Sequence, residues 1–366
     1  MLVKFAVKNY RGFADRIEFD LTKPRSYDFN NFAIKDGIIK NGIIYGANGS
    51  GKSNLGLALF DIENHLSAKW KKADYFGNYI YAGNQELIAD FEYVFKLGGY
   101  SIAYTYSKNY LGIIQNEKLE VDSDLIFSTY NGFSINKNHF SVNDSAIENL
   151  KNNANKISII NYLLNFYPLP ENHYLILLNQ FVNSMLWFKS LDSREFIGLE
   201  SNVNVNIEEY IIKNNLIDDF ASFLKKVSGQ TFEFAKHKIN DTFLQCIIGG
   251  RKVLFSLIAS TGTKTLELLY YWLNKIDFAS FVFIDEFDAF YHFKLSFEVC
   301  KELFKHDTQV FMSSHNTYLM TNDLLRPDCN FIINGKRIKP LCDCTEKDLQ
   351  FSHNIEKLFR GNAFEI

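Results

Sequence analysis

The chain has 366 residues, enough for one large domain or two ordinary ones, and 47% of them are hydrophobic, so a substantial core can form. Its formal net charge of −3 excludes a global basic field for nucleic acid, although a local basic groove stays open. No apolar run reaches about 18 residues, so no membrane span is expected, and MLVKFAVKNYRGF at the start has no long apolar stretch of the secretory kind. A cytoplasmic location with reduced thiols is expected for the five scattered cysteines. Cys342 and Cys344, with Cys329 and His353 nearby, are where zinc can be weighed, but the usual CxxC pairs are absent.

In chain order, LVKFAVKNY alternates apolar and polar residues and predicts a strand, with IEFDL at 17–21 as its antiparallel partner. Ile43, Ile44 and Tyr45 predict a short buried strand running into a glycine-rich loop, and SNLGLALFDIENHL predicts the helix after it. Between 90 and 114, ADFEYVFKL and YSIAYTYSK flank a Gly-Gly turn and predict two or three strands. From 142 to 227 the pattern turns helical, with loops near 168–170 and 201–206; strands return around 231–254. STGT at 260–263 then precedes the apolar helix LELLYYW and predicts an N-cap. The tail alternates strand and helix: FVFID, FEVCKELFK, TQVFMSS, then the short strands NFIIN and RIKPL. The class is α/β, with the halves 1–141 and 228–366 forming one domain around a helical insertion at 142–227.

Two motifs carry chemistry. GANGSGKS at 46–53 matches G-x-x-x-x-G-K-[ST], after a strand and before a helix. Its glycines, with Asn48, Gly49 and Gly51 at the tip, let backbone N–H groups close around phosphate oxygens. Lys52 supplies charge to the β- and γ-phosphates of ATP, and Ser53 a hydroxyl to Mg²⁺. The second motif is FVFIDE. Asp285 and Glu286 follow four apolar residues, at the strand end where open α/β sheets bind ligands. Asp285 is placed to hold the Mg²⁺ shell, and Glu286 to polarise an attacking water. His315, after the strand TQVFMSS, can hydrogen-bond the γ-phosphate or that water.

Together these motifs resemble an ABC-type ATPase of the SMC/RecF-like superfamily: a P-loop NTPase head with a mixed sheet, an N-terminal antiparallel β-subdomain and a helical insertion. NYRGF at 9–13 resembles the opening of these proteins, which would set Arg11 near the nucleotide. STGT stands where the superfamily carries its signature motif, in degenerate form. Small signatures of this kind, and the ending HNIEKLFRGNAFEI, resemble the short AAA-type ATPases of prokaryotic abortive-infection loci. The resemblance implies that Ser260 and Gly262 face the γ-phosphate held by a second subunit, in a homodimer or higher oligomer, with the Asp288 carboxylate at the seam. Gln85 in AGNQEL is the candidate for the glutamine that joins the metal shell.

Long heptad arms are absent, and only about fifty residues follow His315, too few for an appended nuclease domain. The implied protein is an ATP-controlled sensor or scaffold that restrains a separate nuclease or toxin. The alternative is a RecF-like ATPase that closes on DNA; a small-molecule kinase with a P-loop fits less well.

Overall fold

The computed structural model describes residues 1–67, 77–137, 139–140, 144–189, 192–199, 206–238 and 241–365. Two seven-stranded sheets organise them. The first is antiparallel, in the order Ser134–Ile135, Asp124–Ser128, Ile114–Val121, Tyr100–Asn109, Ile88–Leu97, Leu2–Lys8, Ile17–Asp20. Its strands bury alternate residues, as period-2 patterning requires: Ala89, Phe91, Tyr93 and Phe95 on one, Ile102, Tyr104 and Tyr106 on the next. Gly98 and Gly99 close the hairpin between them with φ of 57° and 92°, the left-handed pair that a two-residue turn needs.

The second sheet runs Asp192–Gly198, Met185–Lys189, Phe281–Asp285, Gln309–Ser314, Asn41–Tyr45, Asn330–Ile333, Ile338–Pro340. Its five inner strands are mutually parallel and the two outer ones antiparallel. The inner strands are buried almost throughout, which explains why they read as continuous apolar runs. The helix Lys52–Leu59 lies against both sheets. The hydroxyl of Tyr93, from the antiparallel sheet, donates to the carbonyl of Ala58 at 2.9 Å. On its other side, Phe283 and Trp187 of the parallel sheet come so close to Gly56 that a Cβ there would stand 2.8–2.9 Å from them. Gln309 ties the sheets at one end, accepting from the Leu2 amide and donating to the Leu2 and Ile39 carbonyls.

Most expected strands form, with three differences. The expected helix after the glycine loop divides at Phe60 into Lys52–Leu59 and Asp61–Leu66. The antiparallel sheet continues beyond 114, through Ile114–Val121 and Asp124–Ser128. Glu117 stands at a buried position of IQNEKLEV and hides the alternation. Its carboxylate accepts from Tyr104, Ser158 and the Ile159 amide, which offsets its desolvation. The third difference corrects the all-helical reading of 142–227. Helices Asp144–Asn153, Ile159–Phe166, Tyr174–Asn183, Ile207–Lys213 and Ile217–Ser228 are present, but Met185–Lys189 and Asp192–Gly198 are strands of the main sheet. The run YLILLNQFVNSMLWF is apolar throughout, and periodicity alone does not separate a buried helix from a buried parallel strand. The loop expected at 201–206 and the boundary at 141/142 lie outside the described residues, except for Asn206, which caps the next helix.

The tail packs on the core: Ile355 and Phe364 are buried, and Leu358 and Phe359 pack partly against it. All five cysteines are free and buried, and among the described residues no group of three His, Cys, Asp or Glu side chains could hold a metal. The helix Thr261–Leu273 buries Glu267, and that burial, reinforced by Glu208, pushes its carboxyl up to about 8. A carboxyl raised on folding gives stability that is full below its unfolded value, near 4.5, and lost as pH climbs through about 8. Glu267→Gln removes this slope. Its melting temperature should gain about 3–5 °C on the wild type between pH 5.5 and 8.5, read by scanning fluorimetry. Parallel pH profiles for the two proteins would refute the assignment.

Candidate functional site

Three loops leave adjacent strand ends at one edge of the parallel sheet. The glycine loop follows Asn41–Tyr45, the acids end Phe281–Asp285, and His315 follows Gln309–Ser314, which lies between the other two. The carboxyl edge of an open α/β sheet is where ligands bind.

The glycine loop is held in shape before any ligand arrives. Gly51 has φ 99°, and a Cβ there would stand 2.5 Å from the ring of Phe13. At Gly46 a Cβ would meet the Ser50 hydroxyl at 2.3 Å and the Ile333 carbonyl at 2.6 Å. Lys52 is buried and donates to the carbonyls of Gly46 at 2.8 Å and Ala47 at 3.1 Å. Burial lowers its pKa, and the charges of Asp285 and Glu286 oppose that. Asn48 and Gly49 are exposed at the tip, and Ser53 is half-buried in the first helical turn.

The acids are fixed by serines of the neighbouring strand. Ser313 donates to Asp285 Oδ1 at 2.6 Å, and its oxygen accepts the Glu286 amide at 2.8 Å. Glu286 sits in the left-handed region at φ 50°, a conformation that costs a non-glycine residue about 1 kcal/mol or more and is held here by that bond. Two buried oxygens, Asp285 Oδ2 and Glu286 Oε2, have no hydrogen-bond partner among the described residues. Leaving a buried carboxylate oxygen without a donor is costly unless a ligand completes it. Asp285 Oδ2 and the Ser53 hydroxyl are oxygen groups of the kind Mg²⁺ takes, with phosphate and water supplying the rest of its shell. The Nζ of Lys189 lies 3.8 Å from Glu286 Oε2.

His315 is exposed beside these groups. Partial burial lowers its pKa, Lys52 adds to the effect, and Glu286 and Asp285 oppose it, so the ring is neutral near pH 7. Two clefts flank the loop. One, of about 620 Å³, runs from residues 46–50 past His315 to Phe359 of the tail. The other, of about 550 Å³, lies between Asn48, Glu286, Asp288 and His315. Glu356 of the tail accepts from Thr317, two residues past the histidine, so the tail is bonded to the same loop.

The remaining expected site residues fall in different places. Arg11 lies in a turn against the glycine loop: its neighbours Gly12 and Phe13 touch Asn54 and Gly51, and its Nε donates to the Tyr10 hydroxyl. Gln85 is exposed in a loop off the antiparallel sheet, where its neighbours Asn84 and Glu86 bond to Asn9. No hydrogen bond joins Gln85 to Asp285 or Ser53. At the end of the strand beside the acids stands Lys189 instead, in register with Asp285. Ser260 is the expected cap, accepting the Thr263 amide at 3.2 Å, while Gly262 lies against the Phe290 carbonyl. Neither cleft beside the glycine loop is lined by this turn. Asp288 is half-buried and turned inward, accepting from Ser314 at 2.7 Å. Ser313, Ser314 and Lys189 were missed by sequence reasoning. Their signals were two serines inside an apolar strand and one lysine ending the run MLWF.

A parallel sheet that presents a glycine–lysine loop, an acid pair and a histidine at one edge, beside an antiparallel sheet, is the ABC-type P-loop NTPase fold. The chain belongs to the family described as AAA domain, putative AbiEii toxin, Type IV TA system, whose model matches residues 43–321. A comparison with curated proteins finds no match. Among solved structures, the chain is similar to the SMC head domain from Thermotoga maritima at 17% identity, covering 93% of this chain and 98% of that one, with a TM-score of 0.44. It is similar to an Smc head domain with an extended coiled coil from Pyrococcus furiosus at 12% identity, covering 92% and 95%, TM-score 0.45. It is also similar to the recombination mediator RecF with ATP at 14% identity, covering 93% and 99%, TM-score 0.40.

Proposed function

We propose that the chain binds ATP with Mg²⁺ at the 46–53 loop and hydrolyses it, and that this cycle governs a separate effector. The observation that carries the reading is the pair of buried oxygens on Asp285 and Glu286 that have no hydrogen-bond partner among the described residues, at the same sheet edge as Lys52 and His315. Asp285 Oδ2 and Ser53 would hold the ion, which supplies charge to the phosphates. Glu286 takes a proton from water as the water oxygen attacks the γ-phosphorus. The bond to the β-phosphate oxygen breaks, and ADP leaves with the electron pair. His315, neutral, hydrogen-bonds the γ-phosphate or the water. Arg11, in the turn whose Phe13 packs against Gly51, would lie near the nucleotide.

In this reading the segments 1–141 and 228–366 build the head, and 142–227 contributes flanking helices and two strands of the sheet. The family's description, with its toxin and type IV toxin–antitoxin system, supports a defence setting; in this reading the protein works in the cytoplasm with a separate nuclease or toxin as partner. No helix among the described residues is long and apolar enough to cross a membrane. A DNA-engaging role of the RecF kind is the second reading; it predicts turnover stimulated by duplex DNA.

The Ser260 turn stands outside the clefts beside its own phosphate loop, which supports its use by a second copy. Gly262→Asp would place a carboxylate against the partner's γ-phosphate while leaving Lys52 intact. Alone, Gly262→Asp and Lys52→Ala chains should each hydrolyse ATP poorly. Mixed, they should recover part of the activity, because one composite site then carries neither change. The measurement is phosphate release against mixing ratio, with subunit exchange confirmed separately. A monomer whose specific activity is independent of concentration would refute composite sites.

A further inference from the structure

We propose that Lys189 is a positioning residue for Glu286: its ammonium fixes the direction of the carboxylate that accepts the proton of the attacking water. The inference deepens the hydrolytic reading above and rests on it.

Four observations carry it. First, Lys189 ends a strand whose other four residues are apolar and buried, so the backbone that carries it is held inside the sheet. Second, that strand is the immediate parallel neighbour of Phe281–Asp285, with Lys189 directly opposite Asp285. The lysine therefore emerges at the same edge as the acids, on the side away from the histidine strand. Third, its Nζ stands 3.8 Å from Glu286 Oε2, and both side chains are only 28% exposed. Fourth, that separation exceeds a hydrogen bond, and Oε2 has no other donor among the described residues. The lysine thus acts on the carboxylate through charge, without a hydrogen bond that would occupy Oε2.

The Glu286 backbone adds to the case. Its amide is bound to Ser313 and its φ is 50°, so the residue cannot swing as a loop would. What remains free is the side chain, and two cations bias its direction. Lys52 acts from the phosphate loop and Lys189 from the opposite flank. When triphosphate occupies Lys52, Lys189 still acts on Glu286 from its own strand. An exposed ion pair would have little effect of this kind, because water screens it and both chains are mobile. This pair is three-quarters withdrawn from solvent and anchored on two adjacent strands.

The test is steady-state ATP hydrolysis by the full chain with Mg²⁺. Lys189→Met keeps the aliphatic stem and removes the charge. It should lower kcat about tenfold with the KM for ATP within about twofold, since the phosphate loop is untouched. Lys189→Arg should recover most of the rate, whereas Lys189→Gln should not. Melting temperatures of all three are read alongside; if Lys189→Met is unfolded, the contrast between Arg and Gln decides. Unchanged kcat in a folded Lys189→Met protein overturns the inference while leaving the hydrolytic reading intact. So does a loss that falls equally on kcat and KM and that arginine fails to rescue. A wild-type chain that binds ATP but never turns it over overturns the hydrolytic reading, and this inference with it.

Discussion

Glu286→Gln is expected to bind ATP as the wild type does and to release phosphate at least about 100-fold more slowly. The substitution keeps the size and the planar end of the side chain. The amide bond to Ser313, which fixes residue 286 at positive φ, is made by the backbone and survives. Lys52 keeps its two loop carbonyls, so the phosphate cradle is unchanged. What is lost is the ability of the side chain to take a proton from water. The attraction to Lys189 goes with the charge, and this adds to the defect without touching nucleotide affinity. The experiment pairs a fluorescent-nucleotide titration with single-turnover phosphate release. Phosphate release at the wild-type rate would remove Glu286 from the mechanism and move attention to His315, which shares a cleft with it.

Lys52→Ala has the opposite signature: nucleotide affinity itself should fall, by about 100-fold or more. The ammonium is buried at the base of the loop, where burial lowers its pKa and the two acids draw it back up. Triphosphate brings negative charge to this cation in a site shielded from solvent, so the interaction is stronger than at a surface. Removing it also leaves the Gly46 and Ala47 carbonyls without their donor, which loosens the loop. The same titration reads the loss. Melting curves with and without ATP add an independent check, since a ligand that binds only the folded chain must raise its melting temperature. ATP should stabilise the wild type and Glu286→Gln, and should leave Lys52→Ala unmoved. Stabilisation of Lys52→Ala by ATP at wild-type concentrations would show that the nucleotide binds elsewhere.

The sequence by itself determined the chemistry that local spacing can carry. In GANGSGKS, Gly51 can take the φ of 99° that the turn requires, and Lys52 follows at the start of the helix. FVFID is a five-residue buried strand because four apolar residues in a row leave no polar face, and the acids then fall at its end. Ser260 caps its helix through a bond spanning three residues. Each of these depends on neighbours within a few positions, so the letters suffice. Tertiary structure alone decided the rest. The run MLWFK has the same apolar character as the helix before it, and only pairing with residues 281–285, almost a hundred positions away, makes it a strand. That pairing sets Lys189 against Glu286 and leaves Gln85, expected near the metal, in a loop off the other sheet. It is likewise the alignment of two strands that lets Ser313 reach Asp285 and Ser314 reach Asp288. The physical reason is register. A parallel sheet brings together strand ends distant in sequence, and which side chains share its edge follows from the order of the strands and how they are aligned, neither of which is written in any single segment.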